Sequence, residues 1–330
     1  MAVYVGLDLG CHATRITVKD KGITLCEPSV AAVDISGNVV AVGTRAILVH
    51  SRAPGTVTLR RPLINGTVSD FNLLAEMLDK FLEAAAPRQK KHVAAGVKYS
   101  LSPKDRLTLT TALSDCRTGS IRLVESAAAA LAGCGVNTEA ENGQKIGALI
   151  CDIGAGTVEA SYIQNGDILR AESVVGGGDD ADREICAYIR RRYGVGITEL
   201  QAKELKHSAD LGAETASECS VTGVDTATGV PRRITAEIGE RFISMCAAQT
   251  EAAVRLVSGI LANLPRQGSA ESSADRIILI GGGAEMRGIN NYIERSIGRA
   301  VTAVPEPETA VIRGLGAMLD RDPSAIFKSF

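Results

Sequence analysis

The stretch GALICDIGAGTVEASYI, residues 147–163, decides how this chain folds. It reads as an apolar strand ending at Asp152, a tight turn through Gly154, Ala155 and Gly156, and a second strand leaving from Thr157. The same phrase opens the chain as VYVGLDLGCHATRITV, residues 3–18, with Asp8, Leu9 and Gly10 leading into a polar turn and a returning strand at 15–18. Glycine lets the backbone bend closely around an anion, so that successive N–H groups can point at phosphate oxygens. An Asp at the strand end stands where a phosphate-bound Mg²⁺ or its waters would lie. One copy alone reads as readily as a plain β-hairpin. Its recurrence in matched context favours two phosphate loops, one per half, clamping one polyphosphate from both sides.

The chain has 330 residues, too many for one ordinary core and enough for two domains. With 45% apolar and 22% charged residues and no Trp it has the composition of a soluble globular protein. A net charge of −2 gives no global pull towards nucleic acid or anionic lipid. The eight cysteines are scattered, with no CxxC pair, which suits a reduced, cytoplasmic compartment. The N-terminus enters a strand without a basic leader, and no apolar run reaches 18 residues, the usual minimum for a membrane span.

Periodicity places strands of one sheet at 3–8, 14–18 and 23–34, and short strands at 39–42 and 57–59. Asp70 caps a helix with Phe71, Leu74, Leu78, Phe81 and Leu82 on one face. A strand follows at 93–97, a helix opens at Ser102-Pro103-Lys104-Asp105, and a strand at 121–124 leads into an Ala-rich helix at 126–132. The second half predicts strands at 146–151, 158–164 and 168–175, then a helix from Asp179 to Tyr193 stopped by Gly194. A polar hairpin segment covers 208–233, and a long helix 236–263. A strand at 276–280 ends in Gly281-Gly282-Gly283 before a helix at 289–296, and a last helix lies near 309–319. Residues 135–144 read as a linker.

The third glycine run also follows a buried strand, so its backbone can approach a flat or charged ligand. It lacks the third glycine of G-x-G-x-x-G, and the chain has no G-x-x-x-x-G-K-[ST], so neither the dinucleotide fingerprint nor the P-loop applies.

In order, Asp8-Leu9-Gly10, Val124-Glu125 with its alanine run, Asp152 to Thr157, Gly177-Gly178-Asp179 and Gly281-Gly282-Gly283 resemble the actin/heat-shock-chaperone/sugar-kinase superfamily. Within it the chain resembles the bacterial actins of the MreB family. The likeness runs nearly end to end, through EPSV (27–30), RPLINGTVSD (61–70), YIRRRY (188–193) and TGVPR (228–232). The resemblance implies an α/β, actin-like ATPase fold: two duplicated α/β domains, each with a small insert, and a nucleotide cleft between them. The first core would comprise 1–34, 67–145 and 313–330, with its insert at 35–66; the second 146–178 and 250–312, with its insert at 179–249.

It also implies the chemistry. Asp8 and Asp152 would hold Mg²⁺ through water, with Asp152 counted among the catalytic groups. Glu125 would orient or partly deprotonate the attacking water, and Thr157 would bond the γ-phosphate or that water. The ATP/ADP contacts would be Gly10, Cys11, His12, Ala13, Gly154, Ala155, Gly156, Thr157, Gly177, Gly178, Asp179, Lys203, Lys206, Gly281, Gly282, Gly283 and Ala284. Read without the resemblance, Glu125 is a carboxylate favouring the N-terminus of the Ala helix, Lys206 a surface lysine, and His12 an exposed loop histidine.

The family's pattern is broken in places. Cys11 and Ala13 stand where a Thr and an Asn are usual, Ser126 where a Pro is, and Lys203 where an acidic ribose contact often is. These changes bear on hydrolysis rate and base selectivity more than on binding. The function implied is an ATP-binding, filament-forming cytoskeletal protein that assembles head to tail with itself and hydrolyses ATP slowly. Other cytoskeletal or cell-wall proteins are candidate partners, and nucleic acid is not. The loop EAAAPRQKK (83–91) has no bulky apolar pair, so membrane contact would be weak or absent, resting on two Lys and one Arg at the inner face. The rivals are a non-polymerising ATPase and a small-metabolite kinase of the same superfamily.

Overall fold

The computed structural model describes residues 2–53, 55–136, 147–213, 215–264 and 276–327. Two compact units divide the chain, Met1–Asn137 with Thr309–Phe330, and Thr138–Glu308. The linker expected at 135–144 lies outside the described residues from 137 onward.

The first unit is built on a five-stranded sheet. Strands β1 (Ala2–Leu9), β2 (Ala13–Val18) and β3 (Gly22–Pro28) form an antiparallel meander, and β9 (Lys90–Val97) and β10 (Thr118–Glu125) add in parallel beyond β1, giving the order β10-β9-β1-β2-β3. Helix α2 (Phe71–Ala85) starts where Asp70 accepts a hydrogen bond from the Leu73 N–H at 3.0 Å. It buries Leu74, Met77, Leu78 and Leu82 against the sheet, each worth about 1.5–3 kcal/mol. Helix α3 (Pro103–Ser114) begins at Ser102 as its sequence predicts. Helix α4 (Ser126–Gly133) packs along α9 (Ala310–Arg321), which also covers β1 and β2, and α10 (Pro323–Phe327) follows.

The expectation of one sheet through residue 34 is corrected. The chain leaves the sheet after Pro28, and β4 (Ala31–Asp34) pairs with β5 (Val39–Val42) and β6 (Val57–Arg60) in a separate three-stranded sheet. A helix that periodicity did not reveal, α1 (Gly43–Arg52), packs on it. Strands β7 (Leu63–Ile64) and β8 (Thr67–Val68) form a small hairpin.

The second unit repeats the first sheet's plan. Strands β11 (Gly147–Ile153), β12 (Thr157–Gln164) and β13 (Asp167–Val175) form the meander, and β17 (Arg276–Ile280) and β18 (Thr302–Ala303) add in parallel beyond β11. The order β13-β12-β11-β17-β18 is that of the first unit, position for position. Helix α5 (Gly178–Tyr193) ends at Gly194, whose φ of 66° gives the left-handed C-cap expected there. Helix α6 (Glu199–Ser208) begins in a capping box of Thr198 and Gln201. A small sheet of β14 (Val195–Gly196), β15 (Ser217–Asp225) and β16 (Pro231–Ile238) precedes α7 (Glu240–Ala262), and α8 (Ile289–Ile297) lies between β17 and β18 in sequence. The helix predicted from 236 starts later, because residues 231–238 alternate buried and exposed as a strand does and Gly239 breaks the chain. Among the described residues no helix is long and apolar enough to cross a membrane.

Candidate functional site

Both units carry the same turn. The Gly10 N–H closes on the Ala13 carbonyl at 3.0 Å, and the Gly154 N–H on the Thr157 carbonyl at 3.0 Å. The register then places Asp8 opposite Arg15 on β2 and Gly96 on β9, and Asp152 opposite Glu159 on β12 and Ile280 on β17. Each Asp is the second-last residue of its strand and half-buried, one position inside the strand end that the sequence suggested.

Three successive carbonyls in each turn are held from one side. In the first unit, Ser29 Oγ donates to Gly10 O at 2.6 Å, Arg61 Nη1 to Cys11 O at 3.0 Å, and Ser29 N to His12 O at 2.9 Å. In the second, Gly178 N donates to Gly154 O at 3.1 Å, Asp179 N to Ala155 O at 2.9 Å, and Gly176 N to Gly156 O at 3.0 Å. In a planar trans peptide the N–H points opposite to the C=O. Pinning carbonyls 10–12 and 154–156 therefore turns the N–H groups of 11–13 and 155–157 the other way. Among the described residues the Ala155 and Gly156 N–H groups donate to no backbone carbonyl. Consecutive amides turned to one side form an anion-binding concavity.

The supports differ in kind. Ser29 is fully buried and also shares a 2.8 Å hydrogen bond with Thr14 Oγ1. Cys11 adds a thiol contact, accepting from the Gly66 N–H at 3.1 Å, so this side chain is turned to the loop wall. The expectation for Gly177, Gly178 and Asp179 is modified here: the amides of Gly178 and Asp179 are spent on the 154–155 carbonyls, and that of Gly177 on Asp180 Oδ2 at 3.2 Å. This second glycine run works as a brace behind the turn. A Cβ on Gly177 would lie 2.6 Å from Ala155 O, which is why only glycine lets the two segments touch.

A cation stands beside Asp8. Arg15 Nη1 lies 3.9 Å from Asp8 Oδ2, and both side chains are largely buried. Lys206 is corrected from a surface lysine: it is 3% exposed, with Nζ 2.7 Å from Asp182 Oδ1 and donating to Gly178 O at 2.9 Å. It supports the brace from beneath. Burial pushes the Asp182 carboxyl up, and Lys206 opposes that shift. Lys203 is half-buried on the same helix. Next along it, burial, with Lys206 and Lys203 nearby, pushes His207 down to about 4; its Nδ1 lies 3.6 Å from Glu285.

The 281–283 run packs on β11. A Cβ on Gly281, whose φ is 83°, would meet the Asp152 carboxylate and lie 2.6 Å from Ile153 O, while one on Gly283 would meet the Ile153 side chain. Two of the three glycines are thus required by close approach to β11, Gly282 has open space beside it, and Ala284 is buried.

Glu125 ends β10 at the N-cap of α4 and makes no cap hydrogen bond. Its carboxylate is held instead by Arg106, with Nη1 3.0 Å from Oε1. Near α2, Lys91 is 1% exposed and pairs with Glu83 at 3.2 Å, so it is not one of the lysines available to a lipid surface. Among the described residues no three His, Cys, Asp or Glu side chains gather as a metal cage. A Mg²⁺ carried on phosphates needs only one or two carboxylates, and each unit places one beside its turn, Asp8 in the first and Asp152 in the second.

The sequence profile of the MreB/Mbl protein family matches residues 2–325. The chain belongs to the MreB/Mbl family. Relatives include the cell shape-determining protein Mbl of Bacillus cereus, 31% identical over 96% of this chain and 95% of its own length. The cell shape-determining protein MreB of Escherichia coli is 31% identical over 96% of this chain and 93% of its own. Among solved structures, MreB5 of Spiroplasma citri bound to ADP superposes with a TM-score of 0.87 at 22% identity, covering 100% of this chain and 99% of that one. The MamK double helical filament superposes with a TM-score of 0.80 at 20% identity, covering 98% and 100%. At that identity the two structures establish the actin-like fold, and the MreB/Mbl assignment rests on sequence.

Sequence reasoning missed Ser29, Arg61, Arg15 and Arg106. Ser29 and Arg61 lie inside the EPSV and RPLINGTVSD motifs. Arg15 was countable: once the turn closes Gly10 on Ala13, Asp8 must pair with Arg15. Arg106 carried no local signal.

Proposed function

We propose that this MreB/Mbl-family chain binds ATP, assembles head to tail into filaments, and uses slow ATP hydrolysis to loosen them. The observation that carries the reading is the pair of equivalent turns, each with three carbonyls pinned on one side and an Asp at the same ladder position. The curated relatives are named as cell shape-determining proteins, MreB5 is described with ADP, and MamK as a double helical filament. Those descriptions support a scaffold whose assembly follows its nucleotide.

ATP with its Mg²⁺ would supply the scissile phosphate and the cation that screens its charge. The chain's own groups then divide the work. Amides of residues 11–13 and 155–157 donate to phosphate oxygens, which compensates for Cys11 and Ala13 lacking the family's polar side chains. Asp8 and Asp152 accept hydrogen bonds from cation-bound water. Glu125 accepts from the attacking water and orients it, and Thr157 donates to the γ-phosphate.

The test is pelleting and negative-stain imaging with ATP and Mg²⁺, alongside phosphate release. Filaments that require nucleotide are expected. A soluble monomer whose ADP release depends on a metabolite would overturn the reading in favour of a kinase. Glu125→Ala is expected to keep ATP binding and slow phosphate release about 10²–10⁴-fold.

A further inference from the structure

We propose that Arg106 is the positioning residue for Glu125, holding its carboxylate in one orientation at the end of β10. This rests on the reading of Glu125 as the group that orients water. The guanidinium is fixed without Glu125's help: Nε donates to Leu101 O at 3.1 Å, and Nη2 to Lys98 O at 3.0 Å and Tyr99 O at 3.2 Å. These three carbonyls belong to the turn between β9 and α3, so the plane of the fork is set by backbone. The fork then takes both oxygens of Glu125, Nη1 to Oε1 at 3.0 Å and Nη2 to Oε2 at 3.4 Å.

An ordinary exposed ion pair holds two mobile side chains and contributes little. Here one partner is already immobile, so pairing removes the rotamer freedom of Glu125 alone, and a planar two-point contact sets direction as well as distance. The helix end does not compete, since Glu125 makes no cap hydrogen bond to α4. Each carboxylate oxygen has about two lone-pair sites. Arg106 takes one on each, and with the Glu125 side chain 30% exposed the others remain for water. In the sheet Val124 and Asp8 both pair with Gly96, so the Glu125 backbone lies one residue past Asp8's row and two strands away, about 10 Å.

The experiment measures binding of a fluorescent ATP analogue and single-turnover phosphate release in the full chain for wild type, Glu125→Ala, Arg106→Ala, Arg106→Lys and the Glu125→Ala/Arg106→Ala double variant. Arg106→Ala should bind nucleotide within about twofold of wild type, since one displaced orienting group affects the chemical step and not the phosphate contacts. Its release should slow about 10- to 100-fold, the scale of a misplaced catalytic group. The double variant should be no slower than Glu125→Ala. Free guanidinium ion at millimolar concentration should restore part of the rate in Arg106→Ala and none in Glu125→Ala. Arg106→Lys keeps the charge without the fork and guards against a variant that fails to fold; it should bind normally and release slowly.

Glu125→Ala with unchanged release overturns the reading of Glu125 and this inference together. A slow Glu125→Ala beside a wild-type-like Arg106→Lys and Arg106→Ala overturns the inference alone. So does a double variant whose two losses multiply, which would mark Arg106 as acting independently of Glu125.

Discussion

Gly177→Ala tests the brace behind the second turn. Gly177 has a φ of −171°, extended backbone open to any residue, so the whole effect of the added methyl is steric. Its Cβ would stand 2.6 Å from Ala155 O and 2.9 Å from Ala155 C, and would overlap Gly154 O. Ordinary contact begins near about 3.5 Å, so residues 154–155 must retreat by roughly 0.5–1 Å. Every atom in the way is backbone, which cannot swing aside as a side chain would. Overpacking of this kind costs about 1–3 kcal/mol. The retreat stretches the three hydrogen bonds that tie the turn to the brace and carries the Ala155 and Gly156 amides with it. If those amides hold phosphate, 1–3 kcal/mol corresponds to a loss of about 5- to 150-fold in ATP affinity. Titration with a fluorescent ATP analogue measures this, with thermal unfolding of the nucleotide-free protein as the control. The control should show a loss of about 2–4 °C per kcal/mol for a unit of this size. A folded Gly177→Ala protein that binds ATP within twofold of wild type would refute the assignment of the 155–157 amides to phosphate.

Two further outcomes follow from the same unit. His207 is pushed down to about 4 from an ordinary 6.5, so the unfolded chain takes up its proton first and stability falls as pH drops from about 6.5 towards 4. His207→Gln should flatten that part of a urea-midpoint profile, and an unchanged slope would place the titration elsewhere. Lys206→Met leaves Asp182 buried without its cation, at a cost of about 3–5 kcal/mol. Because burial already raises the Asp182 carboxyl, the protonated form suits the fold. The variant should therefore regain stability on acidification towards pH 4 and lose it as pH rises; a profile parallel to wild type would show that Asp182 does not carry the penalty.

The hairpins of both sheets were legible because glycine fixes the turn and the apolar run fixes the strand. Where reading failed, the deciding partner was distant in sequence. Helix α1 has no local N-cap side chain: the Thr44 N–H is taken at 2.6 Å by Glu27, a residue on β3. Lys206 looked like a surface lysine because Asp182, its partner, sits on another helix. The glycines at 281 and 283 are read as ligand contacts, and the structure adds a second reason for them, their close approach to β11, far away in the chain. The start of α7 failed for a different reason, since Ala236 and Ile238 fit either period and only Gly239 separates strand from helix. The candidate site was legible in its two aspartates and its turns, whereas the groups that aim those turns were not.

Helix α9 has a consequence for biosynthesis. Ile312, Leu315 and Leu319 are fully buried, and Leu315 lies against Gly6 on β1, which is synthesised long before α9. The unit that contains the N-terminus therefore lacks a wall of its core until residues 310–321 have been synthesised, while residues 138–308 form a contiguous unit that can finish first. Nascent chains arrested before residue 310 should hold an apolar sheet face open to water, a surface for chaperones to cover. Completion of that helix is then the moment at which β1 and β2 become protected.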